Sequence, residues 1–415
     1  MRTSGTLFLE LARGAQGIGG AIMFAVSLAI LADAFRGRDR GIAFAVWGAL
    51  AGLAVASGPV IGGALTSGLS WRWIFLVNVS IGIAVALMTL TRVGESRDPA
   101  SRRPDWLGFI SFTAALAFVV FGLIKSSERG FTDALVLGCF AAAAVLAAAF
   151  LVIEIVVAHP MLDLALFRKP TFTGGLLAAF GISATGFSML LYLTLYLQDI
   201  LGYSAIETGV RLLTMSGAIL VCAAIAGRLS AHVPVRLLIG PGLLIVGVGL
   251  LLMRGLTEGS GWTHLVPGLV LAGVGAGMLN PPLASTAVGV VPPRQAGMAS
   301  GINSTSRQVG IATGIALLGS LFASRAHEVV TGDLAQIPGL GGHAAQVGSA
   351  VTNGQLVNTL ARLPAHQRAQ VAAAAHDAFT TGLDRILLVA AVIALVAGAL
   401  TLLLIRSRDF VSSEY

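Results

Sequence analysis

Leu11-Ala12-Arg13-Gly14-Ala15-Gln16-Gly17-Ile18-Gly19-Gly20-Ala21 is the stretch whose reading decides the fold. It places a guanidinium and a carboxamide inside an apolar, glycine-rich run. A charge at membrane depth costs several kcal/mol, so such a side chain faces a water-filled or protein-lined interior. Glycines spaced along a membrane helix let a neighbour approach closely. Together these features point to a helix that lines a transport path.

The remaining sequence agrees. The 415 residues are 56% hydrophobic and 11% charged, with a mean hydropathy of +0.88; soluble domains carry roughly 25% charged residues. A helix needs about twenty apolar residues to cross ~30 Å of hydrocarbon. About eleven candidate spans meet that length, near 6–33, 41–65, 73–90, 106–123, 134–157, 172–197, 209–227, 237–253, 265–290, 298–322 and 386–405. The expected fold is all-α and polytopic. A polar stretch, 324–385, reads as a long loop with a short surface helix at the Ala-rich 369–375.

The sequence pI of 10.2 raises the possibility of nucleic acid, but the basic residues fall in short loops between spans, which argues against it. Arg36, Arg38, Arg40, Arg92, Arg97, Arg102, Arg103, Arg168, Lys169, Arg228, Arg236, Arg294, Arg406 and Arg408 share one set of alternate loops. By the positive-inside rule that side is cytoplasmic. The carboxyl terminus is then inside, and 324–385 outside.

No enzyme is expected. The lysines, Lys125 and Lys169, sit in no phosphate-binding loop. Gly273-x-Gly275-x-Gly277 lies within an apolar run and not at a strand-to-helix turn. The histidines are scattered without metal-ligand spacing. Cys139 and Cys222 lie in apolar runs and define neither a disulfide framework nor a zinc site.

Further motifs mark helix contacts. Gly58-Pro59-Val60-Ile61-Gly62-Gly63 combines a helix-bending proline with closely spaced glycines. It reads either as a hinge-and-seal element or as a kinked packing helix. Trp71-Arg72-Trp73 has the form of an interfacial anchor. Asn78 lies deeper, as helix glue or a cavity residue. Glu10 precedes Arg13 by three positions, so the two can share a face and partly neutralise one another. Asn303, Arg307 and Gln308 give the tenth span a polar face. Tyr192 and Tyr196, with Met189, are candidates for an apolar binding surface or for packing. Glu154 stands as an isolated membrane carboxylate. Two regions echo one another: Gly58–Gly62 corresponds to Gly310–Gly314, and the glycine-rich first span to the ninth at Gly273–Gly277. Such same-orientation repeats suggest parallel halves with a site between them.

In these residues the chain resembles the major facilitator superfamily, specifically its fourteen-span drug:proton antiporters. Arg13-Gly14-Ala15-Gln16-Gly17 is similar to the family's fourth-span signature, and Gly58-Pro59-Val60-Ile61-Gly62-Gly63 to its fifth-span antiporter signature. Trp71 through Val79 is similar to the sixth-span signature, with Ser80 where a proline is usual. The second-half cytoplasmic loop motif has Ala231 and Pro234 in place of its aspartate and glycine. The resemblance implies proton-coupled export of hydrophobic or amphipathic drugs across the cytoplasmic membrane by alternating access, the proton gradient serving as energy source without a cofactor. It implies a monomer whose partners are small hydrophobic substrates, protons and the bilayer. Arg13, Gln16 and Glu10 would serve proton coupling, and Gly17, Gly58, Pro59, Gly62 and Gly63 the gate or helix packing. Asn78, Tyr192, Tyr196, Asn303, Arg307 and Gln308 would line the cavity.

Residues 1–95 would then be three spans of an amino-terminal bundle, 96–165 two linker spans, which takes Glu154 outside the bundles, and 166–415 a six-span bundle. On that numbering three spans precede Arg13. A misplaced start is the favoured account, with natural truncation or a degenerate gene as alternatives. A non-transporting fragment or partner-dependent membrane subunit is the competing function.

Overall fold

The computed structural model describes residues 3–35, 37–94, 105–157, 160–230, 232–257, 259–292, 295–335, 344–352, 356, 359–360 and 364–410. Among them every regular element is helical. The long helices follow one another as α1 (Thr3–Ala34), α2 (Gly37–Gly68), α3 (Trp73–Arg92), α4 (Trp106–Arg129) and α5 (Ala134–Val156). After these come α6 (Pro170–Leu195), α7 (Ala205–Leu229), α8 (Arg236–Leu252), α9 (Val266–Gly289) and α10 (Ala296–Ala335). A short α11 (Ala344–Thr352) precedes α12 (Ala365–Leu404). Eight of these helices are long and apolar enough to cross a membrane, and the chain is a multi-pass membrane protein.

Local chemistry sets the helix boundaries. Asp105 accepts a hydrogen bond from the Gly108 N–H at the start of α4, and Asp133 from the Leu135 N–H at the start of α5. These satisfy donors that a helix N-terminus leaves open. Gly130, at φ +83°, ends α4. Pro170 opens α6, where its missing N–H costs nothing. Ser204 and Glu207 form a reciprocal capping box at the start of α7.

The core lies in the second part of the chain. Helices α6, α8, α9, α10 and α12 enclose fully buried Leu243, Leu283, Phe322, Phe379 and Leu387. Small residues let them meet at backbone distance: a Cβ on Gly242 would fall 2.9 Å from the Gly275 carbonyl oxygen. Helices α4 and α5 pair with each other, and α4 also touches α10. Of the first three helices, α2 packs on α7 and α9, and α1 packs on α10. Helix α3 has no buried residue. Its Leu76, Val79, Ile83 and Leu87 are exposed, as are Leu7, Phe8, Leu11, Ile18 and Ile22 of α1. Such faces suit hydrocarbon, not water.

The described part of 324–385 is largely helical and not a loop. Helix α10 continues to Ala335 and α12 begins at Ala365, each 40 residues long. At 1.5 Å per residue each reaches about 60 Å, twice the hydrocarbon thickness, so part of each projects beyond the bilayer. The Ala-rich 369–375 is correspondingly no surface helix. Val371 and Ala375 are fully buried within α12, in one cluster with Val330, Leu334, Val347 and Val351. Hydropathy ended these spans early because charged residues such as Glu328, Asp333 and Asp377 interrupt the apolar run on the other face.

Candidate functional site

The first three helices meet the six-helix body along α2–α7, α2–α9 and α1–α10. Backbone approach is closest at two glycines of α2. A Cβ on Gly63 would lie 2.5 Å from the Ala205 carbonyl oxygen at the start of α7. A Cβ on Gly48 would lie 3.1 Å from the Pro281 Cα of α9. Gly63 is therefore where the α2 motif touches the opposite half. Gly58 and Gly62, expected at the same contact, have nothing within 4 Å of their Cβ positions, and neither does Gly17. The reason is helical phase: successive residues rotate by about 100°, so Gly62 points away when its neighbour points in. Pro59 lies within continuous helix.

The glycine pattern repeats in sequence but not in packing. Gly273 and Gly277 of α9 lie against the Met215 and Ile219 carbonyls of α7, and Gly310 and Gly314 of α10 against Phe180 and Ala184 of α6. Their counterparts Gly14, Gly17, Gly19, Gly58 and Gly62 meet no atom within 4 Å.

Arg13 donates from Nη1 to Gln16 Oε1 at 2.9 Å, and its guanidinium lies 5.8 Å from the Phe75 ring centroid of α3. The pairing with Glu10 anticipated from spacing is not formed, because the guanidinium is turned towards Gln16 and the aromatic ring. Arg13, Gln16 and Glu10 are all exposed. Asn78 donates to the Ile74 carbonyl one turn back on its own helix, at 2.9 Å.

Across from α1, α10 carries Asn303 and Arg307 one turn apart. Arg307 Nη2 donates to Asn280 Oδ1 of α9 at 3.2 Å. The Asn280 amide donates to the Ala276 carbonyl at 2.9 Å. Asn303 is buried with its Oδ1 unpartnered among the described residues, and a buried acceptor without a donor costs about 1–3 kcal/mol. A ligand N–H or a water reaching it would recover that loss. Gln308 is exposed. The sequence reading missed Asn280; its signal was a carboxamide directly before Pro281-Pro282 in an apolar helix.

Tyr192 and Tyr196 are buried in the packed core. The Tyr192 ring lies 4.8 Å from that of Phe322, and the Tyr196 hydroxyl donates to the Ser260 carbonyl at 2.9 Å. An open apolar cavity of about 420 Å³ does occur elsewhere, between the end of α1 and the start of α2, lined by Leu31, Phe35, Ile42, Val46, Trp47 and Leu50.

Glu154 is neither isolated nor at a lipid face. It is 4% exposed, its Oε2 accepts from the Leu162 N–H at 3.0 Å, and Gly108 of α4 lies against its Oε1.

The sequence is similar to a known family and to several named proteins. The sequence profile described as Major Facilitator Superfamily matches residues 3–315. A multidrug resistance protein of Mycobacterium tuberculosis is 34% identical over 317 residues, covering 76% of this chain and 59% of that protein. A tetracenomycin C resistance and export protein of Streptomyces glaucescens is 30% identical over 392 residues, 93% of this chain and 72% of that protein. A puromycin resistance protein of Streptomyces alboniger is 34% identical over 323 residues, 76% and 63% of the two chains. The match thus spans about three fifths of the first of these relatives.

Proposed function

This chain belongs to the Major Facilitator Superfamily, and from that premise we propose that it exports hydrophobic or amphipathic compounds, antibiotics among them, across the cytoplasmic membrane by alternating access. The observation that carries the reading is the similarity, at 30–34% identity, to proteins named for drug resistance and export. The proton gradient would drive transport. The Asn280–Arg307 bond and the Asn303 Oδ1, unpartnered among the described residues, on the helices that face α1 and α2, support a polar patch at which an amphipathic substrate is held. The contact of Gly63 with Ala205 supports a sliding seal between the two parts. Arg13 donates to Gln16, so its role would be to orient that carboxamide and nearby water. The working unit would be a monomer with its carboxyl terminus in the cytoplasm.

Everted membrane vesicles containing the chain, incubated with a fluorescent amphipathic cation outside, test the reading. Uptake that rises on energisation and collapses with a protonophore is expected. Accumulation equal to that of vesicles lacking the protein would favour a non-transporting membrane component.

A further inference from the structure

Two carboxylates outside the transport seam converge where α4 begins and α5 ends. Glu154 is 4% exposed. Its Oε1 and the Asp105 Oδ2 are both buried and without a hydrogen-bond partner among the described residues. Both atoms border the empty space over the Gly108 Cα: a Cβ there would lie 3.0 Å from Glu154 Oε1 and would collide with Asp105 Oδ2. The other two oxygens are already occupied, Asp105 Oδ1 by the Gly108 N–H at 2.8 Å and Glu154 Oε2 by the Leu162 N–H at 3.0 Å. The two free oxygens therefore border the same space beside Gly108.

Carboxylates that share a site away from water disfavour carrying both charges at once. No compensating cation is in reach among the described residues. Helix α4 contributes Asp105 here. The segment after α5 contributes Asp163, whose Oδ1 is occupied by the Ala165 N–H at 2.9 Å. Helix α10 contributes Met298, whose sulfur accepts from the Asp163 N–H at 3.4 Å. A divalent ion would need about six oxygens, and two carboxylates with one free oxygen each fall well short.

We propose that Asp105 and Glu154 hold one proton between them at neutral pH, making the joint of α4 and α5 a proton-binding site. The protonated carboxyl donates its O–H to the free oxygen of its partner, and both orphan atoms are satisfied by the same proton. Release of that proton to water would set two charges against each other. The repulsion would push the start of α4 away from the end of α5, whose Glu154 holds the Leu162 N–H of the segment fastened to α10 through Met298. The site is independent of the export reading, since neither Asp105 nor Glu154 belongs to the helices of the α2–α7, α2–α9 and α1–α10 seam.

Infrared difference spectroscopy of the purified full chain in lipid nanodiscs, titrated from neutral to alkaline pH, reads the proton directly. The expected result is one protonated-carboxyl C=O band at neutral pH that is lost on alkalinisation and is missing from both Glu154→Gln and Asp105→Asn. A wild type without such a band overturns the proposal, as does a band unchanged in Glu154→Gln. Loss of the band on adding calcium or magnesium at neutral pH overturns it too, in favour of a metal site. Should either variant fail to fold, the thermal midpoint of the wild type decides: it is expected to fall from neutral to alkaline pH as the proton leaves, and a flat profile overturns the proposal.

Discussion

The Thr171 hydroxyl donates to Asp409 Oδ2 at 2.7 Å, joining the start of α6 to the segment after α12 across 238 positions of sequence. The same carboxylate accepts from the Thr171 N–H at 3.2 Å, and the Arg406 N–H donates to the threonine oxygen at 2.7 Å. Phe410 packs beside this clasp against the cluster of Leu166, Phe172, Val290 and Val291. The first and last helices of the six-helix body are thereby pinned at one end, while Arg254 and Asp384 pair at 3.5 Å further along α12.

The clasp predicts an acid sensitivity. Hydrogen bonds from the Thr171 hydroxyl and N–H, with the nearby Arg408 and Arg406 charges, hold the Asp409 carboxyl below its ordinary value. Its stabilisation is full above the usual carboxylate range and is lost as pH falls through the lowered value. Asp409→Asn should therefore lower stability at neutral pH by less than about 1 kcal/mol given the partial exposure, seen as a lower thermal midpoint, and the deficit should vanish in acid. Thermal melts of both forms from neutral pH to below pH ~4 check this. A deficit that persists in acid would locate the effect elsewhere.

Gly63, and not Gly62, is the position that a side chain should block. Gly63→Leu would drive its side chain into the Ala205 backbone, and overpacking typically costs about 1–3 kcal/mol. The expected outcome is loss of export with normal membrane insertion, while Gly62→Leu exports like the wild type. Dye efflux at matched protein levels separates them. Equal loss in the two would show that the α2 motif acts through something other than this contact.

Asn280→Ala should leave the Arg307 guanidinium without its partner on α9, a loss of about 1.5–3 kcal/mol for a hydrogen bond to a charged group. If the pair helps to hold substrate, drug affinity should drop at least tenfold while insertion is unchanged. Asn280→Asp should keep the α9–α10 link and preferentially retain cationic drugs. Equilibrium drug binding in nanodiscs provides the measurement, and unaltered affinity in Asn280→Ala would confine the pair to helix packing.

Arg13→Lys preserves a charge but loses the planar donor fork that meets Gln16 at 2.9 Å and faces Phe75. Drug-driven proton release should fall severalfold with drug binding intact. The two quantities declining together would return Arg13 to a structural role.

Orientation is testable at described positions. With the carboxyl terminus inside, a cysteine at Ser407 should resist an impermeant thiol reagent in intact cells and one at Gly259 should react. The loops carrying Arg97, Arg102, Arg103 and Arg294 lie outside the described residues and enter this question only through their charge. The reverse labelling pattern would invert the assignment.

Sequence by itself determined the class of this molecule: runs of apolar residues long enough to cross a bilayer, an arginine and a glutamine embedded in one of them, and glycine-proline motifs that resemble a transporter family. Those features are local, and the cost of exposing a helix backbone or a charge to hydrocarbon does not depend on the fold around it. Which residues touch was decided only by the tertiary structure. Helical phase brought Gly63 to α7 and turned Gly62 away, and the Arg13 guanidinium met Gln16 and not Glu10. The reach of α10 and α12 beyond their apolar cores likewise rests on cross-helix burial of residues such as Val330 and Val371. Glu154 read as solitary because its partner, Asp105, stands 49 positions away in the chain, and only the packing of α4 on α5 sets the two carboxylates over the same glycine.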